Sequence, residues 1–142
     1  MAQVDANRII IDKGKQNIGY AKWTIKQFRV MTPYNETKWS IVYITNKTIQ
    51  KPGDLRIIIK DINAWGYGYP DKTLIIIDPD YKSSIFLLFH ECGHAYGFGH
   101  TSDGSIMDTN GGDAKYRQYQ VDLIRRNLWI KSKQASGKRE AY

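Results

Sequence analysis

All three histidines of this 142-residue chain fall within eleven residues, His90-Glu91-Cys92-Gly93-His94-Ala95-Tyr96-Gly97-Phe98-Gly99-His100. The spacing H-E-x-x-H-x-x-G-x-x-H suits the capture of one ion. Residues four apart are separated by about one turn of an α-helix at ~3.6 residues per turn, so His90 and His94 project side by side. Two imidazoles so placed can grip zinc at ~2.0–2.1 Å each. Glu91, one step round the helix, reaches a metal-bound water without being a ligand. Gly97 follows the second ligand, where a helix commonly ends on a left-handed residue that glycine adopts at little cost. The chain then turns back and His100 supplies a third imidazole. Three protein ligands leave one tetrahedral position open, which marks a catalytic rather than a structural zinc site. A bare H-E-x-x-H arises by accident, and most histidine pairs on helices are surface or core pairs. The added glycine and third histidine are far harder to reach by chance.

The elements around the motif must present it. Ser83 or Ser84 is placed to cap the helix carrying His90 and His94, whose apolar side, Ile85, Leu88, Phe89 and Cys92, packs down while the histidines face a cleft. Before it, Asn7 to Asp12, Trp39 to Thr45, Leu55 to Ile62 and Thr73 to Ile77 read as strands from their β-branched runs. Residues from about Ile18 to Met31 fit both periods. A helical stripe of Ile18, Ala21, Ile25 and Phe28 is preferred over an alternating strand. Ala64 to Pro70 (AWGYGYP) is too irregular for a central strand and suits an edge or rim. After His100 come a loop from Thr101 to Gly112 and a last helix from about Tyr116 to Trp129, with Trp129 closing the core. Strands with one early helix, then two late helices, predict an α+β fold.

Length and composition bound the rest. The chain is one domain in size, with residues 1–130 as the catalytic domain and 131–142 as a basic tail. No apolar run approaches the ~20 residues of a membrane-spanning helix, and residues Met1 to Asp5 lack the pattern of a secretory signal, so the compartment stays open. A single cysteine, Cys92, excludes an internal disulfide framework and reads as a small buried residue. The net charge of +7 and pI near 9.4 favour anionic surfaces, with much of the charge in Arg125, Arg126, Lys131, Lys133, Lys138 and Arg139. A solvated tail explains these better than a binding device. No nucleic-acid partner is expected, because no aromatics interleave with the basic run. The chain is read as a monomer.

The stretch from His90 to His100, followed by Ser105-Ile106-Met107-Asp108, resembles the metzincin metallopeptidases. In that family a methionine-containing turn lies beneath the zinc, and Met107 matches it. The resemblance is specific from about Thr73 to Trp129, and His100-Thr101-Ser102-Asp103 is most similar to the matrixin branch. It implies a zincin-like catalytic domain with a twisted, mostly β N-terminal half, an active-site helix, a methionine turn and a C-terminal helix. It also implies a substrate lying extended against an edge strand, which makes Ala64, Trp65, Gly66 and Tyr67 substrate-binding residues whose glycine allows close backbone approach. The segment after Met107, Asp108 to Tyr119, would border the pocket for the residue following the cut. Two departures matter. No histidines remain for a second, structural zinc, and Thr109 stands where astacins and serralysins place a tyrosine. A calcium site from Asp78, Asp80 and Asp103 is conceivable, but turn and cap roles are favoured.

The implied reaction is hydrolysis of internal peptide bonds with one catalytic zinc. Zinc lowers the pKa of its water to ≈ 7, and Glu91 takes the proton and returns it to the leaving amine. The substrate is a protein or peptide. Two rival readings are a non-catalytic zinc-stabilised binding protein and a basic module that binds anionic polymers. The intact Glu91 argues against the first, since a retired site need not keep its base.

Overall fold

A computed structural model describes residues 8–11, 17–44, 48–51, 53–70, 72–110 and 114–135. In chain order the elements are β1 (Arg8–Ile11), α1 (Asn17–Phe28), β2 (Ser40–Tyr43), β3 (Leu55–Ile59), β4 (Gly66–Tyr69), β5 (Leu74–Ile77), α2 (Ile85–Ala95) and α3 (Gln118–Ala135). The strands form one five-stranded, mostly parallel sheet in the order β2-β1-β3-β5-β4. The expected combination of strands with one early and two late helices is present as a mixed α/β fold. The early helix accounts for the parallel pairing: α1 connects β1 to β2, and a crossover of that length lets two strands lie parallel, in the register Arg8↔Ser40 to Ile11↔Tyr43.

The contacts group the chain into two compact units, Met1–Arg56 with Arg125–Tyr142, and Ile57–Ile124. In the first, Ile9, Ile10 and Ile11 are fully buried, each such side chain stabilising the fold by about 1.5–3 kcal/mol. In α1 the buried positions are Tyr20, Ala21, Thr24 and Phe28. These follow the helical period and settle the ambiguity of this segment, with Thr24 turning its hydroxyl onto the Tyr20 carbonyl at 2.8 Å. Phe28 packs against Tyr34 and Trp39, with ring centroids 4.9 and 5.0 Å away. The Arg8 guanidinium donates to both oxygens of Asp54, which is 1% exposed.

The second unit holds the β4–β5 hairpin, antiparallel in the register Gly66↔Ile77 to Tyr69↔Leu74, with α2 packed against both strands. The irregular glycine-rich stretch does form a strand, and it occupies the edge of the sheet. Asp78 closes β5 by accepting from the backbone N–H of Ile62 and Asp80, which is the turn role favoured for it.

Three expectations need adjusting. Ile85 is 41% exposed rather than packed down, because the first residue of α2 has no earlier turn to shield it, while Leu87, Leu88, Phe89 and Cys92 are buried. The last helix starts at Gln118 and runs to Ala135, five residues into the stretch read as tail. Lys131, Lys133, Gln134 and Ala135 are polar or small yet good helix formers, so composition alone misjudged them. The rest of that tail, with Lys138 and Arg139, lies outside the described residues, as do Met1 to Asn7, Asp12, Thr45 and the side chain of Trp129.

Candidate metal centre and cleft

Helix α2 is held at both ends by local bonds. At its start the Ser84 hydroxyl accepts from the backbone N–H of Leu87 at 3.1 Å, satisfying one of the donors a helix N-terminus leaves open. At its end Gly97 takes φ 111°, its N–H bonding the His94 carbonyl while the Phe98 N–H bonds the Gly93 carbonyl at 2.9 Å. That pair of bonds is a Schellman closure. It reverses the chain within two residues and brings His100 back over the helix.

The three imidazoles converge. Their ring centroids lie 4.8, 5.3 and 4.7 Å apart for His90–His94, His90–His100 and His94–His100. One nitrogen from each falls within 4.8 Å of the others, and among the described residues this is the group able to hold a metal ion. The tautomers follow from the partners. His90 Nδ1 lies 2.7 Å from the Ile106 carbonyl oxygen and His94 Nδ1 lies 2.7 Å from that of Phe98. A carbonyl only accepts, so each Nδ1 carries the hydrogen and each Nε2 keeps its lone pair. His94 Nε2 and His100 Nε2 stand 3.1 Å apart. Two nitrogens bound tetrahedrally at ~2.0–2.1 Å would be roughly 3.3 Å apart, so the His94–His100 pair is already spaced as zinc requires, and the His90 donor lies within 4.8 Å of both. Burial holds the pKa of both His90 and His94 below the ordinary imidazole value, which keeps them neutral, the form a metal binds.

Glu91 is 5% exposed, and that burial pushes its carboxyl up to about 7. A neighbouring cation acts in the opposite direction and favours the carboxylate. Cys92 is fully buried with its thiol pushed well above the usual range, an inert filler.

Beneath the helix, Met107 is fully buried. Its sulfur sits so close under Gly93 that a Cβ there would collide with it. The methionine turn is tied to the His100 segment: the Thr101 N–H bonds the Met107 carbonyl at 3.0 Å, and the Met107 N–H bonds the Ser105 hydroxyl. The turn also supplies, through Ile106, the carbonyl that orients His90. Asp103 knits the loop together by accepting from the Thr101 hydroxyl, the Ser105 N–H and the Tyr119 hydroxyl. These bonds hold its carboxyl well below the usual range. Asp78, Asp80 and Asp103 form no metal-holding group among the described residues.

A cavity of about 380 Å³ opens beside the histidines, lined by Ala64, Trp65, Gly66, Phe86, Leu87, His90, Glu91, Asp108 and Thr109. Of the residues expected to touch substrate, Ala64, Trp65 and Gly66 stand on its wall. Tyr67 does not, and is 42% exposed. Sequence reasoning missed Phe86, which stacks on His90 with centroids 5.7 Å apart. It also missed both carbonyl partners, for which main-chain atoms carry no residue-type signal.

No known family's sequence profile matches the chain, and no curated protein sequence matches it. Solved structures do. The fold is similar to that of archaemetzincin from Methanopyrus kandleri, with a TM-score of 0.59 at 12% identity over 89% of this chain and 97% of that one. It is also similar to that of a zinc-dependent peptidase from Methanocorpusculum labreanum, with a TM-score of 0.57 at 12% identity over 83% of this chain and 99% of that one. At such identity the likeness is one of fold.

Proposed function

We propose that this chain is a zinc-dependent endopeptidase of the metzincin type. The observation that carries the reading is the convergence of three imidazoles, two with Nδ1–H tied to backbone carbonyls, beside a buried glutamate that lines an open cleft. Zinc bound there supplies a Lewis acid that lowers the pKa of water to about 7 and polarises a carbonyl. Glu91 holds the attacking water, accepts its proton and returns it to the leaving amine. Ala64, Trp65 and Gly66 border the path of the peptide, which runs extended along the free edge of β4. The fold likeness to two structures, one named archaemetzincin and the other a zinc-dependent peptidase, supports the same chemistry. Met107 under Gly93 supports the metzincin type. The nearness to matrixins rests on His100-Thr101-Ser102-Asp103 alone.

The test is zinc analysis of the purified protein together with mass-spectrometric mapping of cuts in a peptide library. One zinc per chain and internal cleavage are expected. Glu91→Gln should keep the zinc and lose cleavage by about 100-fold or more, where the range for a removed general base begins. A Glu91→Gln protein as active as the wild type would overturn the mechanism.

A further inference from the structure

A glycine in the interior of a strand weakens it and often marks a place where another backbone comes close. β4 carries two, Gly66 and Gly68, on the same face because strand residues alternate. That face turns to α2. A Cβ on Gly68 would lie 2.5 Å from the Glu91 carbonyl oxygen, 2.5 Å from His94 Cβ and 3.2 Å from the Ala95 nitrogen. A Cβ on Gly66 would lie 3.0 Å from the Ile76 carbonyl oxygen and 3.1 Å from both Cγ and Oε2 of Glu91. The neighbours at these two positions thus include Glu91 and His94, the proposed general base and a metal ligand, together with the Ile76 carbonyl of β5 beside Gly66. By contrast, a Cβ on Gly19, in α1, would meet nothing within 4 Å.

From this we infer that Gly66 and Gly68 are positioning residues: their missing side chains set the height of the edge strand over α2, and so place the Glu91 carboxylate and the His94 imidazole. The two glycines divide the task. Gly68 faces backbone and the root of a ligand. The clash there must be relieved by moving helix or strand by at least half an ångström, since real Cβ contacts are essentially never shorter than 3.0 Å. Gly66 faces the Glu91 side chain and the Ile76 carbonyl of β5 at 3.0–3.1 Å, so a methyl there presses the carboxylate aside by a few tenths of an ångström without touching the helix backbone. Displacements of that size matter, because a misplacement of about 1 Å at a reacting centre can cost ~100-fold in rate.

The kinetic arm of the test rests on the peptidase reading, and the zinc arm does not. Gly66→Ala, Gly68→Ala and the control Gly19→Ala are compared by zinc competition titration, urea unfolding, and kcat and KM on a cleaved peptide. Gly68→Ala should lose zinc affinity by roughly 10–100-fold, the range seen when a ligand's support is removed. Gly66→Ala should bind zinc as the wild type does and lose kcat by about 10-fold or more with KM unchanged, since only the base has moved. Gly19→Ala should leave all three readouts intact or gain slightly in stability. If Gly68→Ala does not fold, Gly66→Ala decides, because no contact of its added Cβ falls below 3.0 Å, and two of the three nearest atoms belong to the Glu91 side chain. The inference is overturned if folded variants keep wild-type zinc affinity and kcat, or if activity falls only with the unfolded fraction. A wild-type protein that cleaves nothing would end the peptidase reading, and the zinc affinity of Gly68→Ala would still decide this one.

Discussion

His90 and His94 are held in a different way from His100, although all three point at one place. The first two stand on α2, capped by Ser84, closed by Gly97, and each fixed in tautomer by a 2.7 Å bond to a carbonyl. His90 is buried, His94 intermediate. His100 sits exposed in a loop, its ring against the His94 nitrogen, and its backbone is steadied by the Thr101–Met107 bond and the Asp103 network. Helix geometry alone pre-places two ligands, whereas the third depends on several exposed hydrogen bonds, each individually weak. The site is thus half built into a secondary-structure element and half assembled by a loop.

The largest test of that contrast removes the ligands themselves. His94→Ala and His100→Ala should each lower zinc affinity by more than the roughly 100-fold that loss of an outer partner can cost, as read by competition with a chelating dye. A His100→Ala protein that binds zinc like the wild type would mean that the helix pair works without the loop, and the division drawn here would be wrong.

A smaller effect is expected from the loop's organiser. Asp103→Asn keeps one acceptor oxygen but removes the charge that draws in Thr101, Ser105 and Tyr119. Zinc affinity should fall on the order of ten-fold, the low end for outer partners. The same residue predicts an acid limb. Its folded pKa lies below the unfolded value of about 3.9, so its stabilising contribution is complete above that value and is lost as pH falls through the folded one. Urea unfolding of the metal-free protein from pH 5 to 2 should therefore decline less steeply in Asp103→Asn. An unchanged limb would show that the network does not hold the loop.

What could be read from the sequence follows the same division. Helix-borne features are periodic: the His90–His94 interval, the serine cap and Gly97 each sit where local rules put them. The position of Met107 is legible as a motif, but its reason is not, since the contact beneath Gly93 joins residues fourteen apart in the chain. The carbonyls of Ile106 and Phe98 leave no trace in residue type. The glycines of β4 invited close approach, but only the fold shows that the neighbour is α2. The parallel pairing of β1 and β2 depended on a segment whose apolar residues fit two periods, and burial of Thr24, a polar residue on the inner stripe, had blurred the helical one.

The smallest effect comes from weakening the helix half without touching any ligand. Ser84→Ala removes the hydroxyl that accepts from Leu87 and should cost about 1 kcal/mol of stability. Ser84 lies six residues before His90, and the turns between them keep their own backbone bonds. Ligand placement should then be insulated from the cap, and zinc affinity of the folded protein should stay within about two-fold of wild type, against the larger loss in Asp103→Asn. Cap loss lowers the population of intact protein, while loss of the loop network moves a ligand in protein that remains folded. Measured side by side, stability should fall more in Ser84→Ala at neutral pH and zinc affinity more in Asp103→Asn. If both variants lost the two properties in the same proportion, helix and loop would be one cooperative unit, and the third imidazole would be as firmly built in as the first two.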